Sequence, residues 1–168
     1  MSHPTARTQP WLSLLVEAAT ILGAYRGCPP ELSSFAAHGV RVELGHVALA
    51  GQFLELPSPV PTSWQHDGRA VAYAVFEFTD VRRLEQQGIF QASPTDDSLH
   101  HRPVGLAGEC AIEQLPDVYL VVPGRTVPLH WKQFRFKSAG TSLLVEAGHV
   151  HLYVGRQAFR QWGWPSGA

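Results

Sequence analysis

The first hydrophobic segment of the chain has the period of a helix. Residues 11–25 are mostly apolar, and their polar exceptions recur every three or four positions: Ser13, Glu17, Thr20 and Gly23. Pro10 suits the first turn of a helix, and Gly27 suits its end. We therefore predict one largely buried helix over residues 11–25. A second, short helix is predicted over residues 30–37, closed by Gly39.

After Gly39 the hydrophobic period changes from 3.6 to 2. Val40 and Val42 alternate with Arg41 and Glu43, as in a half-buried strand. The alternation slips by one residue near Ala50-Gly51, which predicts a bulge or a turn there. Residues 69–78 have few polar positions and predict a central strand that is covered on both faces. Asp80 and Gly88 are suited to begin and end a short helix over residues 81–87.

The C-terminal half predicts a run of strands separated by turn residues. These strands are expected over residues 109–115, 118–122, 127–137, 142–146 and 149–154, with a helical turn over residues 157–162. Helices followed by such a run indicate an α+β fold, in which N-terminal helices pack on a largely antiparallel, twisted β-sheet. Partial closure of that sheet into a barrel is an alternative. We expect a flexible arm at residues 1–9, one α+β domain at residues 10–164 and a flexible tail at residues 165–168.

The composition supports this assignment and narrows the function. The chain has 168 residues, of which 45% are hydrophobic, so it can bury one domain core. Only 16% are charged, against about 25% in an average domain, and 15 Gly and 13 Pro favour many turns. The net charge of −1 excludes a broad basic field of the kind that drives non-specific nucleic-acid binding.

No segment of the sequence predicts a membrane or secretory address. Residues 11–25 are interrupted by polar positions and are short for a membrane span, and the stretch before them has a single basic side chain, Arg7. The two cysteines, Cys28 and Cys110, are far apart and match no zinc-site spacing. We expect a cytoplasmic protein with free, buried thiols and no membrane partner.

The small net charge results from two opposed blocks. Residues 85–124 contain six acidic residues and one basic residue, whereas residues 125–160 contain six basic residues and one acidic residue. Such blocks either pair within the molecule or face a partner.

One candidate surface follows from the alternation in the last two long strands. Phe134 and Phe136 fix the buried side of one strand, and Val150 and Leu152 fix the buried side of the other. The opposite side then carries six residues, which we call the predicted face: Trp131, Arg135, Lys137, His149, His151 and Tyr153. Aromatic and cationic side chains together can bind anions, nucleobases or acidic protein segments. An ordinary solvated sheet face or a homodimer interface is the alternative interpretation.

The histidines also permit a metal hypothesis. His149 and His151 are alternate residues of one strand and would point the same way, and His130 could supply a third imidazole to a divalent transition metal. Asp96, Asp97, His100 and His101 form a second, weaker candidate in a polar loop.

Taken together, these features favour a non-catalytic binding protein of a small bacterial accessory, immunity or adaptor type. It would recognise an acidic or anionic partner, most readily a protein, through the predicted face, with no cofactor. Arg125, Arg156 and Arg160 would enlarge the positive potential of that face. The first alternative is a metal-dependent enzyme that uses His130, His149 and His151, and the second is a single-stranded nucleic-acid-binding protein.

Overall fold

The computed structural model describes residues 9–66, 68–88 and 106–163. The strands that it contains are β1 (Phe35–Glu43), β2 (His46–Phe53), β3 (Gln65–His66), β4 (Arg69–Ala70), β5 (Ala72–Gln87), β6 (Leu106–Ala107), β7 (Glu109–Gln114), β8 (Val118–Val122), β9 (Arg125–Leu129), β10 (Lys132–Ser138) and β11 (Thr141–Val154). The helices are α1 (Ala19–Ala24) and α2 (Arg156–Gln161), with single 3-10 turns at Pro10–Leu14, Leu32–Ser34 and Thr62–Trp64.

Seven strands form one antiparallel sheet in the order β6-β1-β2-β5-β11-β10-β7. Two short hairpins, β3-β4 and β8-β9, stand beside it as separate ribbons. The prediction of a largely antiparallel sheet is therefore confirmed.

The sheet is not closed into a barrel, although its two edges are neighbours in the chain. Strands β6 and β7 are the opposite edges of the ladder, and only Gly108 separates them. A side chain at Gly108 would overlap the backbone carbonyl of Lys137, so the chain can pass this close to β10 only because that position is glycine.

One side of the curled sheet holds an aromatic core. Its largest fully buried side chains are Phe35, Phe53, Phe76, Phe78, Phe134 and Phe136. Trp11 packs on this cluster with its ring centroid 6.3 Å from those of both Phe53 and Phe76. The N-terminal segment therefore covers the open side of the core.

The prediction of two N-terminal helices is wrong. In place of a helix over residues 11–25 there is a 3-10 turn, an extended stretch and the six-residue helix α1. The backbone amide of Val16 donates to the carbonyl of Val150 at 2.9 Å, so this stretch pairs with β11 instead of continuing a helix. The predicted second helix is replaced by a 3-10 turn and the start of β1, because Phe35 enters the sheet opposite Phe53.

Three details of the strand region also differ from the predictions. Residues 81–87 are not a helix but continue β5, paired with β11 as far as Gln87. The irregularity predicted near Ala50-Gly51 lies instead in β1, between Ala37 and Gly39, and β2 is regular through Gly51. The separate strands predicted over residues 142–146 and 149–154 form one continuous strand, because β11 runs through Gly148.

Helix α2 covers part of the outer side of the sheet. Phe159 packs there with Ala48, Ala50 and Val75, and all four side chains are buried. The ring of His38 lies edge-on to Phe159, with 5.8 Å between the centroids. Among the described residues, no helix is long and apolar enough to cross a membrane.

Candidate functional site

Strands β10 and β11 orient five residues of the predicted face as their alternation predicts, whereas Trp131 lies just before β10 and outside any strand. Phe134 and Phe136 of β10 and Val150 and Leu152 of β11 are buried. The six residues of the predicted face are exposed or half-buried: Trp131, Arg135, Lys137, His149, His151 and Tyr153. Within β11, only the first half, up to Ala147, pairs with β10. The predicted face therefore has a β10 part and a β11 part, which have different surroundings.

The β11 part is a row of rings beside a carboxylate. The His151 ring lies 6.5 Å from that of His149 and 6.2 Å from that of Tyr153, and it is nearly parallel to the latter. Glu77 lies directly across from His151 on β5, and a nitrogen of His46 approaches its carboxylate at 3.8 Å. Partial burial, then the charge of Glu77 and a hydrogen bond with it, raise the pKa of Tyr153 above its ordinary value.

His149 is held by a second carboxylate at a kink in β5. Its Nδ1 lies 2.9 Å from Oδ2 of Asp80. Asp80 has a positive φ of 54°, and β5 carries one extra residue relative to β11 just beyond it. The β5-β11 ladder thus changes register beside His149. Both histidines of the row have an acidic neighbour on β5: Asp80 for His149 and Glu77 for His151.

The β10 part is built around a buried carboxylate. Glu146 accepts hydrogen bonds from Arg82 Nε at 2.9 Å, Gln133 Nε2 at 3.0 Å and Arg83 at 3.4 Å. Arg82 also stacks over Trp131, with 4.6 Å from its guanidinium carbon to the ring centroid. Burial by itself raises the pKa of Glu146. The hydrogen bonds from Arg82 and Gln133 and the charges of Arg82 and Arg83 lower this pKa by more than burial raises it, so the net shift is downward.

Two cationic side chains of β10 are engaged within the molecule. Arg135 pairs with Glu113 of β7 at 3.0 Å, and both side chains are about half exposed. Lys132, next to the predicted face, donates to the carbonyl of Gly148 at 2.8 Å. The acidic and basic blocks of the sequence are therefore partly paired with each other, and the β10 part is a surface of mixed charge.

The metal hypothesis finds no arrangement to support it in the described part of the chain. His130 lies 2.8 Å from Asp117, outside the β11 row. No group of three or more His, Cys, Asp and Glu side chains among the described residues could hold a metal ion, and this includes His130, His149 and His151. The second candidate, formed by Asp96, Asp97, His100 and His101, lies outside the described residues.

A further feature of this region was not singled out from the sequence. Strands β8 and β9 form a two-stranded ribbon that begins just beyond the β7-β10 pair, where the amide of Leu115 donates to the carbonyl of Trp131 at 2.9 Å. We call residues 118–129 the ribbon. Its first strand exposes four large apolar side chains: Val118 at 44%, Tyr119 at 61%, Leu120 at 50% and Val121 at 78%. The only signal in the sequence is an apolar run without alternation, which also fits a buried strand.

The three arginines expected to enlarge the positive potential lie in two places. Arg125 begins β9 at the tip of the ribbon, whereas Arg156 and Arg160 belong to α2. Both thiols, of Cys28 and Cys110, are free and half-buried. Burial raises the pKa of the Cys110 thiol, which disfavours the reactive thiolate.

Comparison with known proteins leaves the function to be argued from these surfaces. A scan against protein-family models found no match, and neither a search of curated proteins nor a search of solved structures found one.

Proposed function

We propose that the protein is a non-catalytic binding protein that recognises another protein through the ribbon and the adjoining predicted face. The observation that carries this proposal is the exposure of the ribbon. Tyr119 and Val121 project from one side of β8, and Val118 and Leu120 project from the other, so both sides present apolar area to solvent. A contiguous exposed apolar surface on a water-soluble domain is typical of an interaction site.

The edge of β8 gives this surface a mode of recognition. Within the described residues β8 pairs only with β9, so its other edge keeps backbone donors and acceptors for an added strand. Strand β9 contains Pro128, which has no amide proton and so weakens the opposite edge as a template. An extended segment of the partner would therefore add to β8, with apolar side chains packing beside Tyr119 and Val121.

Charge favours an acidic partner segment. Arg125 is exposed at the ribbon tip, and Arg135 and Lys137 are exposed on β10. The pair between Arg135 and Glu113 is half exposed, so its exchange for a partner carboxylate costs little free energy. Trp131, held against Arg82 at the base of the ribbon, supplies an aromatic anchor between the apolar and the charged parts.

The test is a set of matched substitutions. A photoreactive amino acid at position 121 should cross-link a partner in the source cells, whereas the same group at position 44 should not. Leu44 is a suitable control because it is fully exposed but lies in the β1-β2 turn. With the purified partner, Val121→Lys, Trp131→Ala and Arg135→Glu should each weaken binding about tenfold or more, and Leu44→Lys should leave it unchanged. Unchanged binding in all three test variants would refute the proposal.

A further inference from the structure

A cavity lies away from the ribbon, between α2 and the loop before β3. It has a volume of about 570 Å³, within the range of small-molecule sites in proteins. Arg156 and Arg160 line it from α2, and Ser63 and Trp64 line it from the 3-10 turn Thr62–Trp64. Gln157, Val154 and Gly155 complete the lining that the structure describes, and none of these described residues is acidic.

The geometry of α2 directs both guanidinium groups to one side. Arg156 and Arg160 are four residues apart, so they lie one above the other on the same face of the helix. Gly155 places the start of this helix beside the indole of Trp64, because a side chain there would meet the Trp64 ring nitrogen at 3.3 Å. Trp64 is itself fixed, since it is buried and its ring packs edge-on against that of Tyr25 at 5.9 Å.

We infer that this cavity binds a small organic phosphate, with the phosphate between Arg156 and Arg160 and the organic part against Trp64 and Val154. Guanidinium groups match the oxygen geometry of phosphate and donate several charge-assisted hydrogen bonds. The Ser63 hydroxyl and the Gln157 amide add neutral donors at the same cavity. The apolar wall accounts for an organic ligand, because inorganic phosphate would leave that wall unused. This site is independent of the ribbon.

The test uses phenyl phosphate as the probe, with inorganic phosphate and phenol as comparisons. Binding to the full chain is followed by nuclear magnetic resonance of the Trp64 indole and the arginine Nε groups. Phenyl phosphate should bind saturably and shift these signals, with inorganic phosphate at least fivefold weaker and phenol without effect. Arg156→Gln and Arg160→Gln should each weaken binding about tenfold, and Arg156→Lys should weaken it less, because it keeps the charge but loses the fork.

Arg125→Gln is the matched control, since it removes an exposed arginine from the ribbon tip. It should leave the affinity for phenyl phosphate unchanged. The inference is overturned if phenyl phosphate shows no saturable binding, if inorganic phosphate binds equally well, or if Arg125→Gln weakens binding as much as Arg156→Gln does. Unfolding curves of the variants that match the wild type establish that a lost affinity reflects the site.

Discussion

Replacement of Glu146 by glutamine tests the buried centre of the β10 part. The carboxylate is 8% exposed and accepts hydrogen bonds from Arg82, Gln133 and Arg83. A hydrogen bond to a charged group contributes about 1.5–3 kcal/mol. Because the side chains of Arg82 and Arg83 are 35% and 51% exposed, solvent screening reduces the benefit from each. The amide also turns one acceptor into a donor that faces other donors. We expect a loss of about 2 kcal/mol in the free energy of unfolding.

Urea unfolding followed by circular dichroism measures this loss. With a slope of roughly 2 kcal/mol per molar urea, the midpoint should fall by roughly 1 M at pH 7. Glu85→Gln is the matched control, because Glu85 also pairs with Arg83 but is 56% exposed. That variant should lose only about 0.5 kcal/mol. Equal losses in the two variants would refute the assignment of Glu146 as the centre of the network.

The pH dependence of the same difference has a defined sign. The pKa of Glu146 is lowered in the folded state, so its carboxylate stabilises the fold fully above the ordinary glutamate pKa of about 4.3. This contribution is lost as the pH falls through the lowered folded-state pKa. The difference in the free energy of unfolding between the wild type and Glu146→Gln should therefore become smaller below about pH 4. A gap that is constant down to pH 2 would contradict the pairing.

Two further predictions concern the scaffold. Gly51→Ala should destabilise the protein by about 3 kcal/mol, because the added methyl group would overlap the Ala36 carbonyl and the Phe35 ring. Gly23→Ala should stabilise the protein by about 0.5 kcal/mol, because Gly23 lies in α1 and no atom is near the added methyl group. Urea unfolding measures both changes, and a change of the same sign in the two variants would contradict the packing described for Gly51 and Gly23. Burial lowers the pKa of His38, and the nearby Gln52 side chain offsets this only in part, so His38 stabilises the fold above its unfolded pKa of about 6.5 and stops doing so as the pH falls. His38→Phe should therefore gain stability relative to wild type between pH 7 and pH 5, and parallel pH profiles would exclude this role.

Side-chain direction in β10 and β11 could be predicted because one side of each strand is buried. Phe134 and Phe136 left Arg135 and Lys137 on the outer side, and Val150 and Leu152 left His149, His151 and Tyr153 there. Within residues 132–138 and 149–154 the buried side is uninterrupted, so alternation is enough to orient the residues there. Neither the partners nor their distances follow from alternation.

The N-terminal and central helices could not be excluded from the sequence, because local pattern and tertiary pairing disagree there. Val81 and Leu84 have helical spacing, and Asp80 and Gly88 resemble a cap and a stop, yet β11 provides a ladder partner along the whole stretch. At the N-terminus, the bond from Val16 to Val150 interrupts a segment whose period alone is helical. Local propensity is outweighed where a strand offers continuous pairing.

The electrostatics of the candidate surface depend on topology that no local pattern contains. Arg82 and Glu146 meet across β5 and β11, and Arg135 and Glu113 meet across β10 and β7. The segregated charges predicted a basic face, whereas these pairs produce a mixed one. The ribbon escaped notice for a related reason, because an unalternating apolar run is the same in a buried strand and in an exposed one.

Amide hydrogen exchange in the ribbon is the most direct test of the proposed function. A two-stranded ribbon without a covered side is only marginally stable, so the amides of Tyr119 and Val121 should exchange much faster than those of β10 and β11 in the free protein. When the partner identified by cross-linking is added, the addition of a strand to β8 should protect these two amides from exchange. The exchange rates of the amides in the turn at Leu44 should be unchanged. Protection that appears elsewhere in the chain but not in β8 would contradict the account.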